Sequence, residues 1–405
     1  MIGVNAKEYG EMSEDMFLLK DIDRESIKMS NSKKILQCLY QENQLTKQEI
    51  SKALGLSIPT VTHNVNTLID EGYIAQAGVA TSTGGRKPAV LQFLPDAKYS
   101  IGIDVTSHGY DMVLTNLKSE IKATKQVDFH YKNMNAFITH VREEMHAMLK
   151  EHAIAVEHVL GVGFSLRGTV NKEHRIFEVA PNTDIKSIDF NQYEAILETK
   201  IYIENEANAA AIAENALGIA KQMRNLVYLS INEGVGTGIV IRGYLYRGKN
   251  HRAGEFGHMM VNPHGPSCTC GNKGCLETYV STKALEKACH DAYGIAISVD
   301  ELFQRFQLKE PEAVRIVEQL IQYLAIGIKN IVNGLDPHYI VIGGSLSLYG
   351  DYFMSQLKEQ VYNNNIFYKP SDHKIMLSSL KEKSSVLGAA LLPLQELLYG
   401  SEKVI

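Results

Sequence analysis

The stretch Thr46-Lys-Gln-Glu49-Ile50-Ser-Lys-Ala53-Leu54-Gly55-Leu56-Ser57-Ile-Pro59-Thr60-Val61-Thr62-His63-Asn64-Val65-Asn-Thr-Leu68 holds two helix starts separated by a glycine turn. Thr46 with Glu49 three residues on forms a capping box, and Ile50, Ala53 and Leu54 follow on one face. Gly55 supplies a positive φ for a tight turn that Leu56 plugs. Ser57 then caps a second helix, Pro59 fits its first turn, and Val61, Val65 and Leu68 give its inner face. Upstream, Ile35, Leu36, Leu39 and Tyr40 recur at helical spacing between Asn31 and Glu42. The order is that of a helix-turn-helix. Ser57, Thr60, Thr62, His63 and Asn64 are expected to face outward near the start of the last helix, where short polar side chains suit base edges or phosphates. The alternative is a three-helix docking domain with a solvated polar face.

Working outward, Gly72-Tyr-Ile-Ala-Gln-Ala and Ala89-Val-Leu-Gln-Phe-Leu read as two strands joined by Gly78 to Pro88. That is the layout of a β-wing. Its tip carries Arg86 and Lys87 after two glycines, and an arginine on a thin loop has the shape that enters a narrow, electronegative minor groove. Residues 26–95 are therefore expected to be a winged helix-turn-helix that contacts DNA through Ser57, Thr60, Thr62, His63, Asn64, Arg86 and Lys87. Charge supports the division. Residues 1–25, an N-terminal extension, carry three basic and seven acidic side chains, whereas residues 26–95 carry seven basic and four acidic. The remainder returns to an acidic balance.

A second stretch, His258-Met-Met-Val-Asn-Pro-His-Gly-Pro-Ser-Cys268-Thr-Cys270-Gly-Asn-Lys-Gly-Cys275-Leu-Glu277, places three of the chain's five cysteines in one Gly-, Pro- and Asn-rich loop. His258, Cys268, Cys270 and Cys275 make a Cys3His set suited to a structural Zn2+, with His264 a weaker competing ligand. Four protein ligands leave no open position for an activated water. The other possibilities are buried thiols or a disulfide. A disulfide fits poorly on the expectation that no signal peptide precedes the chain and that the protein is cytoplasmic, in a reducing location. No run is long and apolar enough to cross a bilayer, so no membrane partner is expected.

After Pro95 strands and helices alternate. Strands are expected at Tyr99 to Val105, Val159 to Phe164, Ile201 to Ile203, Leu226 to Ile231 and Tyr339 to Gly344, with helices near 135–151, 206–220, 281–292 and 311–334. The pattern is α/β. Residues 96–395 form this body, and 396–405 a C-terminal tail.

The motifs of the body are Glu204-Asn-Glu-Ala-Asn-Ala-Ala-Ala-Ile-Ala-Glu214, Gly234-Val-Gly-Thr-Gly, Gly254-Glu-Phe-Gly-His258, the cysteine loop ending in Glu277, and Asp336-Pro with Gly343-Gly344. With them the chain, from about residue 30 to 395, resembles the ROK family (repressors, open reading frames and kinases of sugar metabolism), and more closely its xylose-repressor type members. The resemblance implies an actin-like (ribonuclease H-like), two-lobed fold with a sugar in the cleft. It also implies that Asn205, Glu206, Glu255, His258 and Glu277 face the sugar, that His258 serves pocket and zinc together, and that Asn182 is a further sugar-side position. A polyol does need several fixed acceptors. Arg167 stands where many relatives have proline, and points either inward toward an anionic effector or outward to solvent.

The chain departs from the family's kinases at three places. The first phosphate loop, Asp-any-Gly-Gly-Thr in kinases, is Asp104-Val-Thr106-Ser107-His108 here, without the glycines that bring backbone amides to phosphate. At the second, Gly-Thr-Gly becomes Asn232-Glu233-Gly234, and a carboxylate there opposes a phosphate. Glu206 replaces the aspartate general base, one methylene longer. The expectation is a sugar-responsive regulator, most simply a repressor, that is not an enzyme. It would bind operator DNA as a homodimer or dimer of dimers, and its effector would be a xylose-like pentose, hexose or sugar phosphate. The alternative is an ATP-dependent sugar kinase that retains a DNA-binding domain.

Overall fold

The computed structural model describes residues 24–79, 88–129, 133–179, 186–221, 223–363 and 366–399. Packing divides the chain after Ala97 into two compact units.

The first unit contains α1 (Arg24–Glu42), β1 (Gln44–Thr46), α2 (Lys47–Leu54), α3 (Ile58–Asp70), β2 (Ile74–Val79) and β3 (Ala89–Phe93), with its strands ordered β1-β3-β2. Both cap signals are realised. The Thr46 hydroxyl accepts from the Glu49 amide while the Glu49 carboxylate accepts from the Thr46 amide, and Gly55 turns at φ 65°. Ser57 caps α3 through the Thr60 amide. Ile35, Leu36, Leu39, Ile50, Val61, Val65, Leu68, Ile74, Leu91 and Phe93 are buried as one core, each worth about 1.5–3 kcal/mol of transfer free energy. Two details differ from expectation. Helix α1 starts at Arg24 rather than Asn31, since Ser26, Ser30 and Asn31 hide its start from an apolar period. Ala53 is exposed, because the short α2 packs chiefly through Ile50.

The second unit is built on two five-stranded sheets of like topology. The first runs β11-β7-β4-β5-β6, from β4 (Tyr99–Val105), β5 (Gly109–Asn116), β6 (Ile121–Asp128), β7 (Val159–Leu166) and β11 (Ile201–Asn205). Its first three strands form an antiparallel meander, and β7 and β11 add in parallel. Helix α4 (Met134–Glu151) crosses from β6 to β7, burying Phe137, Ile138, Val141, Met145 and Leu149. A small sheet of β8 (Thr169–Asn171), β9 (Ile176–Val179) and β10 (Lys186–Asp189), then α5 (Glu194–Leu197), precedes β11.

After α6 (Glu206–Ala216) the pattern repeats. β12 (Leu226–Ile231), β13 (Val235–Ile241) and β14 (Tyr244–Leu245) make a second meander. The cysteine loop, α7 (Glu277–Val280), α8 (Thr282–Tyr293), α9 (Val299–Gln307) and the 25-residue α10 (Pro311–Leu335) then lead to β15 (Tyr339–Gly343). Helix α11 (Gly350–Tyr362) precedes β16 (Lys374–Leu377), and both β15 and β16 add in parallel. Each sheet has its own hydrophobic core. Helices α6 and α12 (Ser384–Leu398) meet so closely that a Cβ on Gly388 would lie 1.8 Å from the Ala209 carbonyl oxygen. No helix among the described residues is long and apolar enough to cross a membrane.

Candidate functional site

The surface of α3 comes from its cap and its first turns. Ser57 and His63 are exposed and Thr60 and Thr62 half-buried. The Ser57 hydroxyl accepts from the Thr60 amide at 3.3 Å and bonds the Thr60 hydroxyl at 2.8 Å, a bond that uses one of the two hydroxyl protons. Asn64 corrects the sequence reading. It is 2% exposed, its Oδ1 accepts from the Ser32 hydroxyl at 2.6 Å and its Nδ2 donates to the Thr60 carbonyl at 2.8 Å. Position 64 lies beside Val65 on the flank facing α1, where a short amide finds polar partners that periodicity alone does not reveal. Arg86 and Lys87, at the expected wing tip, lie outside the described residues.

The cysteine loop draws its four donors together. The ligand atoms of His258, Cys268, Cys270 and Cys275 all lie within 4.8 Å of one another. The Cys268 sulfur is 3.5 Å from His258 Nδ1, and the Cys270 and Cys275 sulfurs are 3.6 Å apart. Edges of about 3.5–3.8 Å are what a tetrahedron of thiolates and one imidazole around a zinc-sized ion requires. They are far too long for a disulfide, and all five cysteines are free. The loop returns on itself at Gly274, with φ 64°, where a Cβ would lie 1.6 Å from the Asn262 carbonyl oxygen. The group can hold a metal ion through His258 Nδ1. His258 Nε2 faces the other way, 3.9 Å from Glu255. His264 is exposed and takes no part in the group.

Glu277 opens α7 directly after the loop. Its Oε2 accepts from the Val235 amide at 2.9 Å, which ties the metal loop to the β12–β13 turn. That turn borders a cavity of about 510 Å³ whose lining includes Asp104, Ser107, Arg167, Glu206, Asn232 and Glu233. Glu206, at the first position of α6, is buried and accepts from the Ser230 hydroxyl at 2.7 Å. Burial together with the neighbouring Asp104 pushes its carboxyl up to about 7, against the opposing pull of Arg167 and Ser230. Asp104 is likewise raised by burial, although the hydroxyls of Ser165 (2.5 Å) and Ser385 (2.9 Å) donate to it.

Glu233 sits at the rim of the same cavity. Its Oε1 accepts from the Ser107 hydroxyl at 2.5 Å, its Oε2 meets Lys283 Nζ at 2.7 Å, and Arg167 Nη1 lies 3.9 Å away. Partial burial pushes its carboxyl up, but Lys283, Ser107 and Arg167 together hold it below the usual range. Arg167 points inward. Its Nε is buried with no hydrogen-bond partner, and it faces four carboxyl groups, those of Asp104, Asp111, Glu206 and Glu233.

The residues that the sequence reading assigned to a sugar therefore fall in three places. Glu206 lines the cavity. Glu255, His258 and Glu277 cluster at the metal loop. Asn205 caps α6, its Oδ1 accepting from the Ala207 and Asn208 amides and its Nδ2 donating to the Gly168 carbonyl. Asn182 lies outside the described residues. Lys283, Ser165 and Ser385 escaped sequence reading, since Ser385 reaches Asp104 across 281 residues and no spacing encodes such a contact. The Glu204–Arg247 pair also escaped it. Both Nε and Nη2 of Arg247 donate to Glu204 Oε2, and Glu204 is 1% exposed. Burial pushes that carboxyl up, but Arg247 and Lys172 hold it below the usual range.

Three helices with a two-stranded wing, followed in the chain by two like sheets around a cleft, define a winged helix-turn-helix protein with an actin-like body. The comparisons agree. A ROK family model matches residues 100–396, and a winged helix-turn-helix DNA-binding model matches residues 30–75. The chain belongs to the ROK family. It is similar to the xylose repressor of Bacillus spizizenii (strain ATCC 23059 / NRRL B-14472 / W23), 29% identical over 379 residues that span 93% of this chain and 98% of that protein. Among solved structures it is similar to a ROK family transcriptional regulator described as a homolog of the E. coli MLC protein. That likeness has TM-score 0.80 at 24% identity, over 93% of this chain and 97% of that one. It is also similar to a ROK hexokinase from Thermus thermophilus, with TM-score 0.61 at 26% identity, over 72% of this chain and 97% of that one.

Proposed function

We infer that this protein is a sugar-responsive transcriptional repressor. The observation that carries the reading is coverage. Similarity to a xylose repressor runs through the winged helix and the body together, over 93% of the chain, whereas the hexokinase corresponds to 72%. On this reading the front unit holds operator DNA, two copies on a pseudo-palindrome, through Ser57, Thr60, Thr62 and His63 on the recognition helix and Arg86 and Lys87 on the wing. A xylose-like pentose, a hexose or a sugar phosphate occupies the cleft, with Asn182, Asn205, Glu206, Glu255, His258 and Glu277 around it. Zn2+ is the metal that suits three thiolates and an imidazole, and with all four positions filled its role is structural. Such a switch works only if sugar binds two arrangements of the protein with different affinity.

Fluorescence anisotropy of full-length protein on its selected operator, with and without xylose, glucose and their phosphates, tests the reading. One sugar should weaken operator binding at least tenfold. Specific operator binding that no sugar alters would remove the sensor half of the reading.

One observation favours catalysis instead: Glu206, raised to about 7, has the acidity of a general base near neutral pH. Against it stand Thr106-Ser107-His108 without glycine and the Glu233 carboxylate at the second phosphate-loop position. Incubation with MgATP and aldoses decides, and sustained turnover that depends on Glu206 would establish the kinase.

A further inference from the structure

We propose that Ile58 is a specificity-determining residue, reading the C5-methyl group of a thymine in the operator half-site. The inference rests on the DNA-binding reading above and assigns one side chain in it a ligand chemistry.

Helix α3 is the second helix of the helix-turn-helix, and in that arrangement the N-terminal residues of this helix meet base edges in the major groove. The polar side chains there also bond within the protein. Ser57 and Thr60 bond each other, Thr67 donates to the His63 carbonyl, and Asn64 is buried against α1. What the first two turns present outward is Ile58 at 43% exposure, exposed Pro59 and His63 and half-buried Thr62, with exposed Asn66 opening the third turn. Positions 58, 62 and 66 recur every four residues, so they share one line along the helix.

An isolated exposed isoleucine is ordinary on a protein surface. Its place distinguishes this one. It is the first residue of the helix, beside a proline, on the outer face of a segment matched by a DNA-binding model over residues 30–75. An apolar side chain there gains nothing from phosphate and makes no hydrogen bond to any base. The one apolar group on a major-groove edge is the thymine methyl. Ile58, with the γ-methyl of Thr62 one turn on, supplies a matching surface beside the hydrogen-bonding readers Ser57, Thr60 and His63.

The test begins with the full-length protein selecting its site from random duplex DNA. Each thymine of the selected half-site is then replaced by uracil, which removes the methyl and leaves every hydrogen-bonding group unchanged. At one position uracil should weaken wild-type binding about fourfold per half-site, the worth of one buried methyl group. Ile58→Ala should bind the thymine and uracil duplexes equally at that position, and Ile58→Val should keep most of the difference. Because Ile58 is half-exposed, the variants should melt within a degree or two of wild type. Specific binding with no uracil effect at any position overturns the inference alone, as does an unchanged uracil penalty in Ile58→Ala. Failure to select any site overturns the DNA-binding reading and the inference with it.

Discussion

Glu206 shows what one side chain contributes once its surroundings are known. In the sequence it is one of three acids in the Glu204 to Glu214 motif; in the structure it is buried, bonded to Ser230 and close to a second buried acid, Asp104. Its folded-state acidity, about 7, lies above the ordinary value near 4.5. A group raised in this way favours the folded state fully below its unfolded value, and the contribution is lost as pH rises through the folded one. Between pH 4.5 and 7, then, Glu206 makes stability fall with pH, by about 3 kcal/mol at most. Glu206→Gln keeps an acceptor for Ser230 and cannot ionise. Urea unfolding should find the variant more stable than wild type at pH 8 and nearly equal to it at pH 5. An equal pH dependence in both proteins would show that Glu206 ionises freely in the folded state.

At the scale of elements, local chemistry decided how much could be read ahead of the structure. The capping box at Thr46 and Glu49, the Gly55 turn and the Ser57 cap are encoded within four residues each, and all are found where expected. The cysteine loop is equally local. Its ligand spacing and Gly274 prescribe a compact turn, and the structure draws exactly four donors into one group. By contrast α12 is not legible in the sequence, because it packs on α6, β4 and β7, far away in the chain, while β5 and β6 pair with their own neighbours but carry no motif that marks them. The acids of the Glu204 to Glu214 segment also divide by long-range contact. Glu206 lines the cavity, Glu204 pairs with Arg247, and Glu214 accepts from Leu380 and from serines between 378 and 384. On the zinc reading, Cys270→Ser should reduce bound zinc from one per chain to near zero and lower Tm by roughly 5 °C. Since Glu277 links the loop to the Val235 amide, sugar affinity should fall as well. Zinc content measured beside calorimetry checks the loop, and unchanged sugar affinity in a metal-free variant would separate the metal from the pocket.

The whole second unit is a doubled design, invisible in the sequence, where the two meanders share no obvious repeat. The β4–β5 turn of one sheet and the β12–β13 turn of the other are equivalent corners, and the structure joins them through Ser107 and Glu233. We propose that these turns stand where kinases of the family carry their two phosphate loops. Here a protein carboxylate holds the donors from both sides, Ser107 and Arg167 from the first sheet and Lys283 from α8. On that proposal nucleotide would be opposed twice, by like charge and by occupied donors. Two unit charges about 4 Å apart at an effective dielectric near 20 repel by about 4 kcal/mol before screening, enough to dominate weak binding. Glu233→Thr removes that repulsion and frees Lys283 and Arg167, so MgATP affinity measured by calorimetry should rise at least tenfold. On the same proposal turnover should not appear, because Thr106-Ser107-His108 lacks the glycines that would bring its backbone to the phosphates. Stability should fall by no more than about 1 kcal/mol, since the bridge is partly exposed. If ATP binds the variant no better than wild type, the exclusion lies in the first loop alone, and Glu233 serves only to join the two corners.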